Sequence, residues 1–443
     1  MGMTAGFTTT GTSTTAAEST STSDGSTSDG STSTSTSSTG STTASCPEGS
    51  EGCPCLPGDL CDGGLACVAG SCVAGPDTTP GTTGETTDAE PFCGDGLVAA
   101  DELCWKPSAA LGMGSGPSAV LALDLDGDGN DDIINSNSQS NNLTTRLYTG
   151  DGSFGALGAL IAEMGPAGLV AVDANGDAIL DVVAANRASN TASLFVSTGD
   201  GKFMPQVSMP TGVQPRALVA GLVDADALPD LLVVNAADKT VTFLKGDGAS
   251  FGMGAAFAVG TTPNDLAVGD FNGDGNLDVV TANVGASDLS VILGNGQGLF
   301  GAPTSVPVGG APFSVAVGHL NGDASLDLVV SVPATGQVLV MFGTGFGMFS
   351  AGVPYAAGMG PERLVLADLT ADGAPDVAVV NRPANQVSVL RGNGKGSFAP
   401  AEVFDVGMEP VALAVGDFNG DGAADLVTAN SAASTVSVLL SDP

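Results

Sequence analysis

Seven near-copies of one unit, set at a fixed stride, limit what this chain can fold into. Anchored on Asp124, Asp173, Leu222, Asp270, His319, Asp368 and Asp417, the units step by 49 residues, with one step of 48 between Leu222 and Asp270. Seven residues before each anchor stands a proline: Pro117, Pro166, Pro215, Pro263, Pro312, Pro361 and Pro410. Nineteen before it stands an aromatic residue: Trp105, Phe154, Phe203, Phe251, Phe300, Phe349 and Phe398. Thirteen after it stands asparagine in six units, with Val332 in the fifth. Self-similarity at this period marks a repeat architecture, in which each unit buries its apolar face against its neighbours.

The unit around Asp270 contains "DLAVG", "LDVVTA", "LSVILG" and the segment 300–308, four apolar stretches separated by Gly, Asn and Asp. Short Val- and Leu-rich runs bounded by turn formers read as strands joined by hairpins, and breakers at this density disfavour helices. Seven four-stranded units of this length predict an all-β, seven-bladed β-propeller. The last unit stops at "VSVLLSDP", its third strand, whereas residues 105–113 carry the aromatic and downstream proline of a fourth strand and precede the first unit. A ring closed by this N-terminal strand accounts for both and removes two open sheet edges.

Composition divides the chain into three parts: a Ser/Thr-rich tether at 1–45, a Cys-rich segment at 46–104 and the propeller at 105–443. The tether lacks the apolar content to offset ordering entropy and reads as disordered. All eight cysteines fall between Cys46 and Cys104. They form no pair of CxxC knuckles and have no histidine nearby, so disulfides and an oxidising compartment are the better reading than zinc. Their connectivity is not deducible, since eight cysteines allow 105 pairings. No stretch approaches the ~18 apolar residues of a membrane span. No export signal is visible at the start either, so either an export sequence upstream of this start or the loss of one is expected. With 11 basic against 48 acidic residues, the net charge of −37 argues against nucleic acid and anionic membranes and suits divalent cations.

The anchors begin loops of the form D-x-[DN]-x-D-G-x-x-D. Positions one, three, five and nine offer side-chain oxygens and position seven its backbone carbonyl, a set that suits Ca²⁺ at about 2.4 Å better than octahedral Mg²⁺. No glutamate stands at position twelve, so a hairpin turn is a better home than an EF-hand. The same Asp and Asn side chains can also cap their own backbone without metal.

These loops, "DLDGDGNDD", "DANGDAILD", "DFNGDGNLD" and "DFNGDGAAD", resemble those of the FG-GAP/VCBS repeat family, propellers related to the integrin α-subunit head. The resemblance covers residues 105–443 and implies a seven-bladed propeller with Ca²⁺ in its hairpin loops. It carries ligand roles onto Asp124, Asp126, Asp128, Asn130 and Asp132; Asp173, Asn175, Asp177, Ile179 and Asp181; Asp270, Asn272, Asp274, Asn276 and Asp278; and Asp417, Asn419, Asp421, Ala423 and Asp425. The sixth loop, Asp368, Thr370, Asp372, Ala374 and Asp376, substitutes a hydroxyl and is expected to bind more weakly. The fifth begins with His319, a poor calcium ligand, and keeps Asn321, Asp323 and Asp327. The third begins with Leu222, and its Asp224, Asp226 and Asp230 read as a relic without metal. Four to five Ca²⁺ sites are expected in all. Separately, "FCGDGLVAADELC" resembles small "CGDG…GE.C" modules of secreted myxobacterial proteins, a resemblance that implies a Cys93–Cys104 pair.

No nucleophile–base set is visible, so the chain is read as a non-enzyme. The leading function is an extracellular or cell-surface interaction and adhesion module, expected to be monomeric, with a protein or polysaccharide partner of anionic character. The alternative is a carbohydrate-active protein, either a calcium-dependent lectin or a lyase or hydrolase on a propeller scaffold. A stacking lectin is disfavoured because Trp105 and Tyr355 fall on core positions, leaving only Tyr148 unassigned. The segments after the asparagine, from "NSQSNN" to "NSAAST", vary most between units. Hairpin alternation places them opposite the calcium loops, with Arg187, Lys239, Arg382, Arg216 and Arg363 on their rim.

Overall fold

A computed structural model describes residues 65–68, 71–74, 105–107, 110–150 and 152–441. The chain divides into two compact units. What is described of one is a hairpin, Leu65–Val68 paired antiparallel with Ser71–Ala74. The tether, the Cys93–Cys104 pair and every cysteine but Cys67 and Cys72, which stand opposite each other in this hairpin, lie outside the described residues. The other unit is the propeller.

Blade 4 shows the pattern. Its inner strand Pro263–Gly269 is followed by Asp278–Asn283, Asp288–Ile292 and the outer strand Thr304–Pro307, each antiparallel to the one before. Six sheets have this four-stranded order. In the seventh, Trp105–Pro107 and Leu111–Gly112 pair with the last strand, Thr435–Ser441, and supply the outer strand from the other end of the propeller. The register is diagnostic. Each blade's aromatic pairs with the residue 24 beyond that blade's anchor: Phe154 with Tyr148, Phe203 with Ser197, Phe251 with Gly246, Phe300 with Gly294, Phe349 with Gly343 and Phe398 with Gly392. Trp105 pairs with Ser441, the same place in blade 7. The inner strands contact one another in order around the axis, and that of blade 7 contacts that of blade 1. The ring is closed.

Every second strand is buried along all six residues. Both its faces pack on neighbouring blades, which is why "LDVVTA" is a continuous apolar run rather than an alternating one. The outer strands are half exposed, as in Glu402–Asp405.

The repeated asparagine is structural. Asn186, Asn381 and Asn430 each donate from Nδ2 to a third-strand serine seven residues on, at 2.8, 2.7 and 2.9 Å. Asn235 and Asn137 reach Thr242 and Thr144 in the same way. All of these asparagines are buried, where an unpartnered amide would be costly. Blade 5 breaks the rule at both positions at once. Val332 and Leu339 are both buried in one apolar cluster, so an apolar pair replaces the polar one.

Candidate metal loops and the variable-loop face

Hairpin pairing sets the two ends of the propeller apart. In blade 4, Gly269 lies opposite Asp278 and Pro263 opposite Asn283, so the acidic loop closes one end of the hairpin while the proline and asparagine sit at the other.

The loop of blade 4 is wound tightly around its own carboxylates. Asp270 accepts the N–H groups of Gly273 at 2.7 Å, Asp274 at 3.1 Å and Gly275 at 2.8 Å. Asn272 Oδ1 accepts from Asp274 N at 2.9 Å, and Asp274 Oδ1 from Asn276 N at 2.8 Å. Gly273 and Gly275 have φ of 77° and 84°, a left-handed conformation that a side chain there would strain. The loops at Asp173 and Asp417 repeat these bonds. In the loop at Asp124, carboxylate oxygens of Asp124, Asp126 and Asp128 lie within 4.8 Å of one another. Like charges so close favour a cation between them. Oxygen-only donors on a pre-wound turn fit Ca²⁺ in the loops starting at Asp124, Asp173, Asp270 and Asp417. In the sixth loop Thr370 donates its hydroxyl to Asp376 at 3.3 Å, while Asp368 still holds the N–H groups of Asp372 and Gly373.

The ninth aspartate has a second role that sequence reasoning missed. In all seven blades, 5 and 3 included, its two oxygens accept two backbone N–H groups. One comes from the residue after the anchor and one from the end of the third strand. Asp278 takes Phe271 N at 2.9 Å and Gly294 N at 2.8 Å, and Asp230 takes Val223 N at 3.1 Å and Gly246 N at 2.8 Å. Asp132, Asp181, Asp327, Asp376 and Asp425 do the same. All seven are fully buried. Burial pushes Asp132 up to about 7 and Asp278, Asp376 and Asp425 up to about 6, with nearby loop aspartates adding to the effect. The signal was present in the sequence: this aspartate persists where the first ligand has become Leu222 or His319.

The two degenerate loops carry substitutes. In blade 3 the Lys245 ammonium pairs with Asp224 and, at 2.8 Å, with Asp226, placing a protein cation between the carboxylates. These two partners hold the Lys245 pKa above its ordinary value. In blade 5 His319 Nδ1 donates to the carbonyl of Ser325, the seventh position, at 3.0 Å.

A family model for FG-GAP-like repeats matches residues 124–184, 173–233, 223–281, 270–330 and 333–428. The chain belongs to the FG-GAP-like repeat family. No curated protein matches it. Among solved structures this FG-GAP propeller is similar to BBS1N in complex with ARL6DN, at 13% identity over 76% of this chain and 97% of that one, with a TM-score of 0.55. It is also similar to a streptogramin B lyase, at 13% identity, 77% and 98% coverage and a TM-score of 0.52. Virginiamycin B lyase from Staphylococcus aureus matches at 11% identity, 76% and 99% coverage and a TM-score of 0.53. At these identities the likeness is one of fold alone. Propellers of this shape serve unrelated functions, and the FG-GAP fold itself points to an interaction module. No helix among the described residues is long and apolar enough to cross a membrane.

At the other end of the FG-GAP propeller the structure brings three of the five expected basic residues together. Arg187 and Arg363 lie close enough to Arg216 to lower its pKa, after the larger effect of burial. Arg363, on blade 6, reaches past blade 5 to pair with Asp265 on blade 4. Asp265 also accepts from Ser314 at 2.6 Å. Arg216 bonds Asn264 through one Nη, and Asn264 passes the contact on to the Phe313 carbonyl at 2.8 Å. Arg382 pairs with Glu409 at 2.8 Å and lies 3.9 Å from Glu362. Lys239 is exposed in the variable loop of blade 3. The rim is therefore less positive than the five basic residues alone imply, since Asp265, Glu362 and Glu409 answer two of them. Trp105, Tyr148 and Tyr355 offer no open platform: Trp105 and Tyr148 are buried, against Phe404 and Phe154, and Tyr355 packs edge-on against Phe398.

Proposed function

We propose that this protein is an extracellular or cell-surface interaction module, a propeller stapled by Ca²⁺ at one end that presents its variable loops to a protein or polymer partner at the other. The observation that carries the reading is the division of labour within the repeat. The aspartates, asparagines and aromatics that recur in the blades all make bonds internal to the fold, while the segments that change, from 138–141 to 431–434, open together at one end. A face made of unlike loops on a rigid scaffold is how a repeat fold acquires specificity. The Ca²⁺ ions act as staples on Gly-rich hairpins and take no part in chemistry. FG-GAP repeats are typical of extracellular proteins, which agrees with the cysteine usage of the N-terminal segment.

The test is a binding screen of the full-length chain against outer-surface extracts and a glycan array, with and without Ca²⁺. Retention should be lost when Arg187, Lys239 and Arg382 are replaced together by Glu and kept when Asp200 and Asp247, exposed acids at the calcium-loop end that lie outside the loops themselves, are replaced by Asn. Retention that depends on the calcium-loop end instead would contradict the assignment of the face.

A further inference from the structure

The mouth of the axis on the variable-loop end carries two arginines without acidic partners among the described residues. Arg187 is exposed and lines a cavity of about 440 Å³ together with Ser118, Ser138, Ala167 and Gln214, residues of blades 1 to 3. Arg216 follows Pro215 at the start of blade 3's inner strand, and its half-buried guanidinium touches Asn264 through one Nη. Its Nε is buried with no hydrogen-bond partner among the described residues. The exposed guanidinium of Arg187 is a planar fork that matches a carboxylate in a bidentate pair, while Arg216, its Nε closed to solvent, adds a second positive charge. The neighbouring charges do not supply one. Asp265 is held by Arg363 and Ser314, and Glu409 by Arg382. Two positive charges without acidic partners among the described residues thus stand at this end of a strongly acidic chain, an arrangement that steers an acidic partner to this point.

The surroundings are apolar rather than cationic. Nine residues before the anchor, four blades expose a large apolar side chain: Met164 (58% exposed), Val213 (42%), Met359 (68%) and Met408 (58%). Met164, Val213 and Met408 lean on the variable loops of their own blades, through hydrogen bonds from Ala188, Ala237 and Ala432 to their carbonyls. Met164 and Val213 belong to the same two blades as Arg187 and Arg216. Met and Arg are the residue types enriched at protein interfaces, and Met adapts to irregular apolar surfaces. A sulfated glycan is better matched by a row of spaced cations without thioethers between them.

We propose that this mouth is a carboxylate-binding site that takes an Asp, Glu or C-terminal carboxylate from an acidic segment of a partner protein. Arg187 holds the carboxylate, the charge of Arg216 draws it in, Gln214 lies beside it, and Met164 and Val213 receive the apolar side chains that flank it. The proposal rests on the reading of the variable-loop end as the binding face and narrows it to one ligand chemistry.

The test is fluorescence polarisation of the full-length chain against an array of 12-residue peptides in which Asp and Glu are interspersed with Leu, Phe and Met, alongside a sulfated dodecasaccharide. Peptides should bind, and replacing their acids by amides should abolish binding. Arg187→Glu should weaken binding at least tenfold. Arg187→Lys, which keeps the charge and loses the fork, should do the same with an unchanged melting temperature. Lys239→Glu should change the affinity less than threefold. If peptides bind and only Lys239→Glu or Arg382→Glu weakens them, the face is right and the arginine site is wrong. If no peptide binds, the proposed carboxylate site is wrong, and if peptides bind but every variant of this face binds as the parent does, both readings fall. Saccharide binding through Arg187 without any peptide binding overturns the protein partner.

Discussion

At the residue scale, the ninth aspartate separates what holds the hairpin from what holds a metal. Its two backbone bonds are present in blade 3, where Lys245 sits between the other two carboxylates, as well as in blade 4. Asp230→Ala and Asp278→Ala should therefore both destabilise, by about 2–6 kcal/mol, since each leaves two buried N–H groups unmatched at about 1–3 kcal/mol apiece. Denaturant unfolding with and without chelator checks this, and the Asp230→Ala loss should be the same in both. The pH dependence follows from the same group. Burial raises Asp132 to about 7 and Asp278, Asp376 and Asp425 to about 6 in the folded chain. A carboxyl whose folded value is raised contributes stability that is complete below its unfolded value, about 4, and lost as pH rises through the folded one. In chelator the melting temperature should fall between pH 5 and pH 7.5. A bound cation opposes that loss by favouring the ionised form, so the Ca²⁺-induced gain in melting temperature should be larger at pH 7.5 than at pH 5. A gain that shrinks with rising pH would count against carboxylate ligation.

At the element scale, the closing strand and the third hairpin carry the informative tests. Deleting residues 105–113 removes the pairings of Trp105–Pro107 and Leu111–Gly112 with the last strand and takes the buried Trp105 out of the cluster around Leu439. The cost should be several kcal/mol from lost sheet bonds and the cavity left behind, on the order of 3–5 kcal/mol for the tryptophan alone. Trp105 is the only tryptophan, so its fluorescence reports closure directly in the intact chain. In blade 5, Val332→Asn alone should destabilise by burying an amide beside Leu339, and Leu339→Ser alone by opening the apolar cluster. The double variant rebuilds the pair found in the other blades and should recover part of the loss, a coupling of about 1–3 kcal/mol in a double-mutant cycle. The ring and its closure were legible because each landmark recurs in the sequence, so the misplaced Trp105 and Pro117 could be read as a displaced copy. The Asn–Ser pairing was half legible: the asparagine stood out, but its partner is a Thr in some blades and a Ser in others. Lys245 and the bond from Arg363 to Asp265 were not legible. The first reaches from a third strand back to a loop, and the second crosses the axis between blades 4 and 6, and no local spacing encodes either contact.

At the scale of the whole molecule, one end of the propeller is standardised and the other individual. The standardised end holds loops of alternating acids that repel one another unless a cation intervenes, and blade 3 answers that repulsion with its own lysine. Lys245→Leu should then lower stability in chelator and make blade 3 respond to Ca²⁺, whereas the parent blade does not. The individual end, freed from holding the fold together, carries the arginine mouth and its apolar flanks. The central claim is that Ca²⁺ staples the scaffold on which that face is built. Isothermal titration of Ca²⁺ into the chelator-treated full-length chain, with melting curves taken on the same samples, tests it most directly. The account predicts four to five ions per chain and a melting temperature that rises as they bind; a chain that binds none and melts identically in EDTA would contradict it.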